Sequence, residues 1–284
     1  MTVLVFGADG QVGRELAALP GVVALDRAAA DLSRPGACAQ VIREARPGAV
    51  INAAAYTAVD RAEEEEALAT VVNGEAPGAM ACAAAELGIP FVHISTDYVF
   101  AGTGDRPWRP ADEAHPVSAY GRSKLAGEAA IRAAGGTWAI LRTSWVFAGR
   151  GRNFVATILR LSADRDRLAI VADQVGGPTP ASAIAEATHL MASRLVDTPA
   201  LGGLYHFSGA PDVSWAGFAR AILAATERDV EVEEITTAQF PTPARRPQNS
   251  RLDCSEVEAV FGIKRPDWRA ALPEVVYRLE NGRA

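Results

Sequence analysis

The chain has 284 residues, of which 49% are hydrophobic and 22% are charged, and its formal net charge is −6. This composition is typical of a globular protein and excludes collagen, coiled coil and extended disorder. The negative charge argues against nucleic-acid binding, which needs a basic surface, and no apolar run reaches the roughly 20 residues of a membrane span. With no recognisable signal peptide and three scattered cysteines, the protein is expected in a reducing cytoplasm, without a nucleic-acid or membrane partner.

The first half of the chain alternates apolar strands with helices. Strands are predicted at residues 1–6, 22–25, 49–55, 91–95 and 138–146, and helices at 11–19, 37–46, 62–87 and 118–134. Strands that are apolar throughout and separated by helices are typical of a parallel sheet covered on both faces. The sequence therefore predicts a doubly wound, Rossmann-like α/β fold, with residues 1–150 as a dinucleotide-binding domain.

The second half follows a looser pattern. Helices are predicted at 153–162, 181–195 and 215–226, strands at 168–171 and 204–208, and a proline-rich and arginine-rich loop at 236–249. Residues 151–284 are expected to form mainly a smaller C-terminal substrate-binding lobe. This lobe is interleaved with a helix and a strand near 181–208 that return to the first domain.

A glycine-rich turn, GADGQVG, lies between the first strand and the first helix and contains Gly7, Gly10 and Gly13. Glycines there allow a tight turn and a close approach of the backbone to a pyrophosphate. The spacing differs from the usual Gly-x-Gly-x-x-Gly, so a purely structural turn is the alternative. Asp26 ends the second strand, where a carboxylate binds an adenosine ribose, and Arg27 beside it keeps a 2′-phosphate open. The turn predicts NADPH or NADH without choosing between them.

Tyr120 and Lys124 are four residues apart on a predicted helix, so the phenol and the ammonium lie on one face. A nearby cation favours the phenolate, which makes such a pair an acid/base that works nearer neutrality. Chance also produces this spacing. Here, however, Lys124 and Lys264 are lysines while the other 26 of the 28 basic residues are arginines, which indicates that a compact ammonium is required at residue 124.

Hydroxyl groups follow the strand predicted at 91–95, in the segment STDYVF. Open parallel sheets bind ligands beyond the carboxyl ends of their strands. The Thr96 hydroxyl can therefore donate to a carbonyl oxygen and hold developing negative charge. Ser/Thr capping of a turn is the alternative, and the pair at 120 and 124 favours the reducing site.

Seven segments extend these motifs: GADGQVG, INAAAYTAVDRAE, STDYVFAGTGDRPW, PVSAYGRSKLAGE, RTSWVFAGRGRNF, DQVGGPTPA and PTPARRPQNSRLD. In order and spacing they resemble the dTDP-4-dehydrorhamnose reductase family of the extended short-chain dehydrogenase/reductase superfamily, from about residue 1 to 270. The resemblance implies an NAD(P)H-dependent enzyme that reduces the C4 keto group of dTDP-4-dehydro-L-rhamnose to dTDP-L-rhamnose, with a homodimer expected.

The resemblance also implies roles for single residues. Tyr120 would protonate O4 as hydride arrives, Lys124 would bind the nicotinamide ribose and lower the Tyr120 pKa, and Thr96 would hydrogen-bond O4. The other implied cofactor contacts are Gln11 and Val12 at the pyrophosphate, Asp26, Asp31 and Leu32 near the adenosine, and Ala53, Ala55, Tyr56 and Thr57 along the cofactor trench. The implied substrate contacts besides Thr96 are Asp97, Trp145, Arg245, Arg246 and Asn249.

The family's magnesium site is not expected in this chain. Its members bind the ion between subunits through several glutamates, of which only Glu15 has a counterpart here. Ser182 stands where another glutamate is expected. No metal is therefore predicted.

Two rival functions stay open on the sequence. A nucleotide-sugar epimerase or dehydratase would hold its NAD tightly, and purified protein saturated with oxidised NAD would favour it. A regulatory subunit resembling the β subunit of methionine adenosyltransferase is the second, although the intact set of Thr96, Tyr120 and Lys124 argues against it.

Four further residues have more ordinary interpretations. His93 is expected to be a core residue of a buried strand, and Trp215 and Phe218 are expected in the core rather than as a stacking platform. Asn73 is expected either to support the wall of the site or to pack between helices, with neither favoured.

Overall fold

The computed structural model describes residues 1–226 and 228–282, so residues 227, 283 and 284 of the predicted second lobe lie outside the description. The strands are β1 (Val3–Phe6), β2 (Val22–Leu25), β3 (Ala49–Asn52), β4 (Phe91–Thr96), β5 (Trp138–Thr143), β6 (Val146–Phe147), β7 (Arg167–Val171), β8 (Val175–Gly176), β9 (Thr179–Pro180), β10 (Gly203–His206), β11 (Val213–Ser214), β12 (Glu231–Ile235) and β13 (Asn249–Ser250).

Two of the helices, at residues 119–134 and 154–161, begin after capping residues. Ser118 Oγ accepts a hydrogen bond from Gly121 N at 3.2 Å, and Asn153 Oδ1 accepts one from Ala156 N at 3.0 Å, so both side chains cap free backbone donors. The helices are α1 (Gln11–Ala17), α2 (Pro35–Ala45), α3 (Glu66–Thr70), α4 (Ala76–Leu87), α5 (Ala119–Ala134), α6 (Phe154–Leu161), α7 (Ala181–Asp197), α8 (Trp215–Ala224), α9 (Ser255–Phe261) and α10 (Trp268–Asn281).

Six strands form one sheet in the order β10-β5-β4-β3-β1-β2, and every neighbouring pair is parallel. Alternate side chains point to opposite faces. Val3 and Val5 pack with α1 and α7, whereas Leu4 and Phe6 pack with α2, α4 and α5. Both faces are therefore buried under helices, and the predicted doubly wound α/β fold is confirmed.

A segment from the second half of the chain, β10 with the preceding helix α7, also belongs to this sheet and its helical layer. β10 pairs with β5 at the sheet edge, and α7 packs against α1 on the same side as the Val3 face. A separate apolar cluster, made by α6, α8, α10 and the β7–β12 pair, is centred on Phe147, Phe218 and Trp268. Phe218 is fully buried there, as expected of a core residue.

Some predicted elements end differently in the structure. β3 stops at Asn52 instead of running to residue 55, because the Asn52 side chain accepts from Ala54 N at 3.1 Å and turns the chain. The helix predicted at 62–87 is divided: a 3₁₀ turn at Arg61–Glu63 precedes α3, and a π turn at Val71–Glu75 joins α3 to α4. β12, α9 and α10 have no counterpart in the sequence prediction; in each of them charged residues interrupt the apolar ones. Within residues 1–226 and 228–282, every helix is too short or too polar to cross a bilayer.

Candidate active site

The carboxyl ends of β1, β3, β4 and β5 open into a cavity of about 1190 Å³. The chain passes from β1 to β2 on one side and then to β3 on the other, so the strand order reverses between β1 and β3. Such a reversal leaves a crevice where open α/β sheets bind ligands. Residues of the second lobe, among them Asn153, Phe154 and Trp215, close the opposite wall.

The glycine-rich turn forms the floor of this crevice. Gly7 has φ +98°, and a Cβ there would lie 2.8 Å from Ala54 Cα, so only glycine fits. A Cβ at Gly13 would overlap the Gly7 carbonyl, which places Gly13 under the turn rather than in the cavity lining. Gly7, Gly10, Gln11 and Val12 do line the cavity. The backbone is therefore bare where a pyrophosphate would approach it, and the residues present fit a dinucleotide.

At the end of the crevice where the adenosine is expected, the neighbouring residues Asp26 and Arg27 take different positions. Arg27, Asp31 and Leu32 line the cavity, and the Arg27 guanidinium lies 3.5 Å from the Asp31 carboxylate. The N–H of Ser33 lowers the pKa of Asp31. Asp26 is not among the lining residues, because its carboxylate turns back to accept from Ala29 N at 2.9 Å. Of these two neighbouring residues, Arg27 lines the cavity and Asp26 does not.

Ala53, Ala55, Tyr56 and Thr57 line the trench beyond β3. Asn73 holds this wall: its Oδ1 accepts from Tyr56 N at 2.8 Å and its Nδ2 donates to Tyr56 O at 3.0 Å. Of the two interpretations left open for Asn73, these bonds favour support of the wall. The π turn puts Asn73 in reach of the trench, as π turns often do at functional sites.

Thr96, Tyr120 and Lys124 all line the cavity. Tyr120 lies in the first turn of α5, where the ring of Tyr98 contacts it edge-on at 5.5 Å between centroids. Burial raises the pKa of Tyr120, and the Thr96 hydroxyl opposes that shift. The sequence predicted a Tyr120 pKa nearer neutrality; in the structure, burial raises this pKa and the Asp97 carboxylate raises it further. Tyr120 is therefore a protonated phenol at neutral pH, the form that can donate a proton.

Lys124 is buried, and its Nζ donates to Ile94 O at 2.7 Å. Nζ also lies 2.9 Å from Nε2 of His93. Burial lowers the pKa of Lys124 to about 7, while the Glu128 carboxylate raises it. The nitrogen is thus poised to gain or lose a proton near neutrality.

Asp97 lies beside Thr96, whose hydroxyl donates to Asp97 Oδ1 at 3.1 Å. The other carboxylate oxygen has no hydrogen-bond partner among the described residues. Burial raises the pKa of Asp97 to about 6. Asp97 lines the cavity, and this oxygen is buried without a partner at its edge.

An aromatic pair forms the far wall. Trp145 has φ +50° and stacks on Trp215, with 3.5 Å between ring centroids and 8° between planes. A Cβ at Gly176 would lie 2.8 Å from the Trp145 ring, so glycine makes room for it. Trp215 is partly buried: it packs against the apolar cluster of the second lobe, as the core prediction has it, and it also lines the cavity.

The three substrate contacts predicted at Arg245, Arg246 and Asn249 lie in different surroundings. Arg246 lines the cavity and pairs with Asp60 at 2.9 Å. Arg245 is exposed and is not among the lining residues. Asn249 is buried and donates to Arg106 O at 2.7 Å, a bond that holds the loop in place. Only Arg246 of this group faces the cavity.

The two residues considered for a metal, Glu15 and Ser182, do not line the cavity. Glu15 lies 4.0 Å from the guanidinium of Arg278, and Ser182 is exposed at the start of α7. In the part of the chain that the structure describes, no three His, Cys, Asp or Glu side chains cluster as metal ligands would.

Sequence reasoning missed the contacts of His93, Asn52 and Tyr98. The signal was present for Tyr98, which lies in the STDYVF segment, since a residue just beyond a strand end faces the ligand crevice. No local signal exists for His93, because its partner Lys124 is 31 residues away.

Comparison with known proteins adds independent findings. The family described as RmlD substrate binding domain matches residues 1–281. The chain is 48% identical to dTDP-4-dehydrorhamnose reductase of Burkholderia thailandensis over 96% of this chain and 97% of that one. The crystal structure of a dTDP-4-dehydrorhamnose reductase from Clostridium acetobutylicum superposes with a TM-score of 0.91 at 38% identity, covering 99% of this chain and all of the other (100%). The enzyme of the same name from Bacillus anthracis, solved in complex with NADP, gives a TM-score of 0.89 at 34% identity, over 97% and 99%.

Proposed function

The chain belongs to the dTDP-4-dehydrorhamnose reductase family, and from that premise we propose that it reduces the C4 keto group of dTDP-4-dehydro-L-rhamnose to give dTDP-L-rhamnose, using NADPH or NADH. The observation that carries this proposal is the convergence of Thr96, Tyr120 and Lys124 on the cavity that the glycine-rich turn also lines. The nicotinamide supplies the hydride when it is bound.

Residues of the crevice would hold the cofactor. The bare backbone from Gly7 to Val12 faces the pyrophosphate, Arg27 and Leu32 face the adenosine, and Lys124 binds the nicotinamide ribose. The Tyr56 wall, fixed by Asn73 on both its N–H and its carbonyl, keeps the trench in shape.

The proton for O4 comes from Tyr120. Its raised pKa keeps the phenol protonated, and the developing charge on O4 draws that proton across. Thr96 donates to the same oxygen and must release Asp97 Oδ1 to do so. Lys124 in its ammonium form stabilises the phenolate that Tyr120 becomes.

The substrate's sugar and diphosphate would lie toward the second lobe. The Trp145 ring offers an apolar face to the 6-deoxy sugar, backed by Trp215. The unpartnered Asp97 oxygen accepts a sugar hydroxyl. Arg246 offers positive charge to the diphosphate.

One assay tests this function. Purified protein is mixed with NADPH and dTDP-4-keto-6-deoxyglucose, with and without a 3,5-epimerase, and NADPH absorbance is followed. Consumption that requires the epimerase is expected, and Tyr120→Phe should reduce turnover by roughly 10²–10⁴-fold, the usual contribution of a general acid, while retaining cofactor binding. Consumption that does not need the epimerase, or a fully active Tyr120→Phe, would contradict the assignment.

We further propose that the enzyme acts in the cytoplasm as a homodimer. Cys38, Cys82 and Cys254 are all free thiols, which suits a reducing compartment. The family resemblance supports the dimer. Sedimentation equilibrium of the purified protein measures the oligomeric state, and a monomer at micromolar concentration would contradict the dimer.

A further inference from the structure

Three consecutive contacts connect the end of β3 to the Nζ atom of Lys124. Ala54 N donates to Asn52 Oδ1 at 3.1 Å. Asn52 Nδ2 lies 3.1 Å from His93 Nδ1, and His93 Nε2 lies 2.9 Å from Lys124 Nζ. The side chains of Asn52, His93 and Lys124 are all buried. The mechanism above uses only the last of them.

The donors and acceptors of these contacts fit together in one way. Only the amide oxygen of Asn52 can accept from Ala54 N–H, so Asn52 presents its NH₂ group to His93. His93 Nδ1 must then be the acceptor. Burial holds the pKa of His93 well below its ordinary value, so the ring is neutral. A neutral ring that accepts at Nδ1 carries its proton at Nε2.

The Nε2–H group therefore points at Lys124 Nζ. An ammonium has three donors and no lone pair, whereas an amine has a lone pair that can accept this hydrogen. Ile94 O accepts one N–H of the same nitrogen at 2.7 Å. The surroundings thus match a neutral Lys124, in agreement with the direction in which burial shifts its pKa.

We propose that His93 is a positioning residue: held as its Nε2–H tautomer by Asn52, it keeps Lys124 a neutral amine until a cofactor's ribose hydroxyls offer an ammonium new acceptors. The proposal rests on the proposed function, because it takes the nicotinamide ribose to lie at Lys124. The cation that stabilises the Tyr120 phenolate is then present only when the reductant is bound. Cofactor affinity should fall as the pH rises above the pKa of the free lysine, since binding then requires uptake of a proton.

Other charged and titratable groups lie near this nitrogen, and they come from several elements. Among the titratable side chains of the described residues, His93 is the one within hydrogen-bond distance of Lys124 Nζ. The remaining groups lie on three elements. Tyr120 and Glu128 are on α5, and Glu128 pairs with Arg132 of α5 and Arg142 of β5. Asp97 follows β4 and faces Tyr120.

The two lysines of the chain make a direct titration practicable. In a Lys264→Arg background, lysine labelled with ¹³C at Cε gives a single signal, that of Lys124. In the cofactor-free protein its pKa should lie near 7, and saturating NADP should raise it. His93→Leu removes the donor at similar size and should raise the free-protein value by about one unit. An unchanged or lower value would overturn the proposal, since the ring would then be accepting from an ammonium.

A measurement on the wild-type protein tests the same point without a core substitution. ¹⁵N chemical shifts of labelled histidine distinguish protonated from unprotonated ring nitrogens. His93 should carry its proton at Nε2. His206, whose Nδ1 lies 3.0 Å from Trp108 O, should carry its proton at Nδ1 and serves as the internal control. Asn52→Asp presents only acceptors and should move the His93 proton to Nδ1. A His93 proton at Nδ1 in the wild type would overturn the proposal.

These measurements involve no turnover. A protein that fails to reduce the sugar yet shows the Nε2–H tautomer would contradict the proposed function and leave this inference standing. An active reductase with the other tautomer would do the reverse.

Discussion

Lys124 and Glu128 lie one turn apart on α5, and both are buried, but their surroundings differ. Glu128 accepts from Ser95 Oγ at 2.7 Å and from the Arg142 guanidinium at 2.8 and 2.6 Å, and Arg132 adds a further bond at 3.0 Å. Among the residues that the structure describes, Lys124 Nζ hydrogen-bonds a carbonyl and a neutral imidazole and no carboxylate. The Glu128 carboxylate is therefore fully paired and contributes to stability, whereas the Lys124 nitrogen has no counter-ion and is available for chemistry.

Glu128→Gln breaks the compensated site and should give the largest change in stability. The substitution leaves Arg142, which is 2% exposed, without its carboxylate. Breaking a buried pair in this way costs about 3–5 kcal/mol of unfolding free energy. Urea denaturation measures the loss. Glu274→Gln, in the exposed pair with Arg278, is the matched control and should cost about 1 kcal/mol or less; equal losses would contradict a structural role for Glu128.

Lys124→Met removes a buried amine that has no counter-ion, and it should stabilise the protein while abolishing turnover. The Lys124 pKa is about 7 in the folded protein, against an ordinary value of 10.5. The unfolded chain therefore binds more protons between these values, and the native state gains stability as the pH rises from about 7 toward 10.5. In Lys124→Met this gain should vanish, and the melting temperature at pH 7 should rise by about 2 °C or more.

The exposed Lys264 gives the control for that prediction. Lys264→Met should leave both the melting temperature and its pH dependence as in the wild type. A lower melting temperature for Lys124→Met would show that the ammonium is compensated after all.

Arg27→Ala should have the smallest effect, because its side chain is 80% exposed. Losing one solvent-screened contact to a 2′-phosphate should raise the NADPH Michaelis constant roughly fivefold, which corresponds to about 1 kcal/mol, and leave that for NADH unchanged. Asp26→Ala is the comparison: its carboxylate holds Ala29, so both cofactors should be affected alike. Steady-state kinetics with each cofactor would contradict this account if Asp26→Ala weakened NADH selectively.

The sequence predicted those parts of the site whose positions depend on residues close by in the chain. The glycine-rich turn, the Tyr120–Lys124 pair and Thr96 each lie within a few residues of a strand end or a helix start, where spacing determines position. Asp26 lies at the expected strand end too. Its carboxylate is satisfied by a backbone N–H three residues away instead, a competition that spacing alone does not reveal.

The remaining features depend on packing between distant segments. Trp145 stacks on Trp215, 70 residues later, and Asp60 pairs with Arg246, 186 residues later. His93 looked like a core residue because it is one; its contact with Lys124 follows from the pairing of β4 between β3 and β5. Such contacts arise from the whole fold.

The most direct test of the central claim is the turnover number of Lys124→Arg beside that of Lys264→Arg, with each melting temperature as a check on folding. Arginine serves at 26 of the 28 basic positions of this chain, but its guanidinium stays charged and is larger than the amine nitrogen that Ile94 O and His93 contact at 2.7 and 2.9 Å. We expect Lys124→Arg to lose at least about 10²-fold in turnover and Lys264→Arg to match the wild type. Full activity in Lys124→Arg would contradict the reductase site described here.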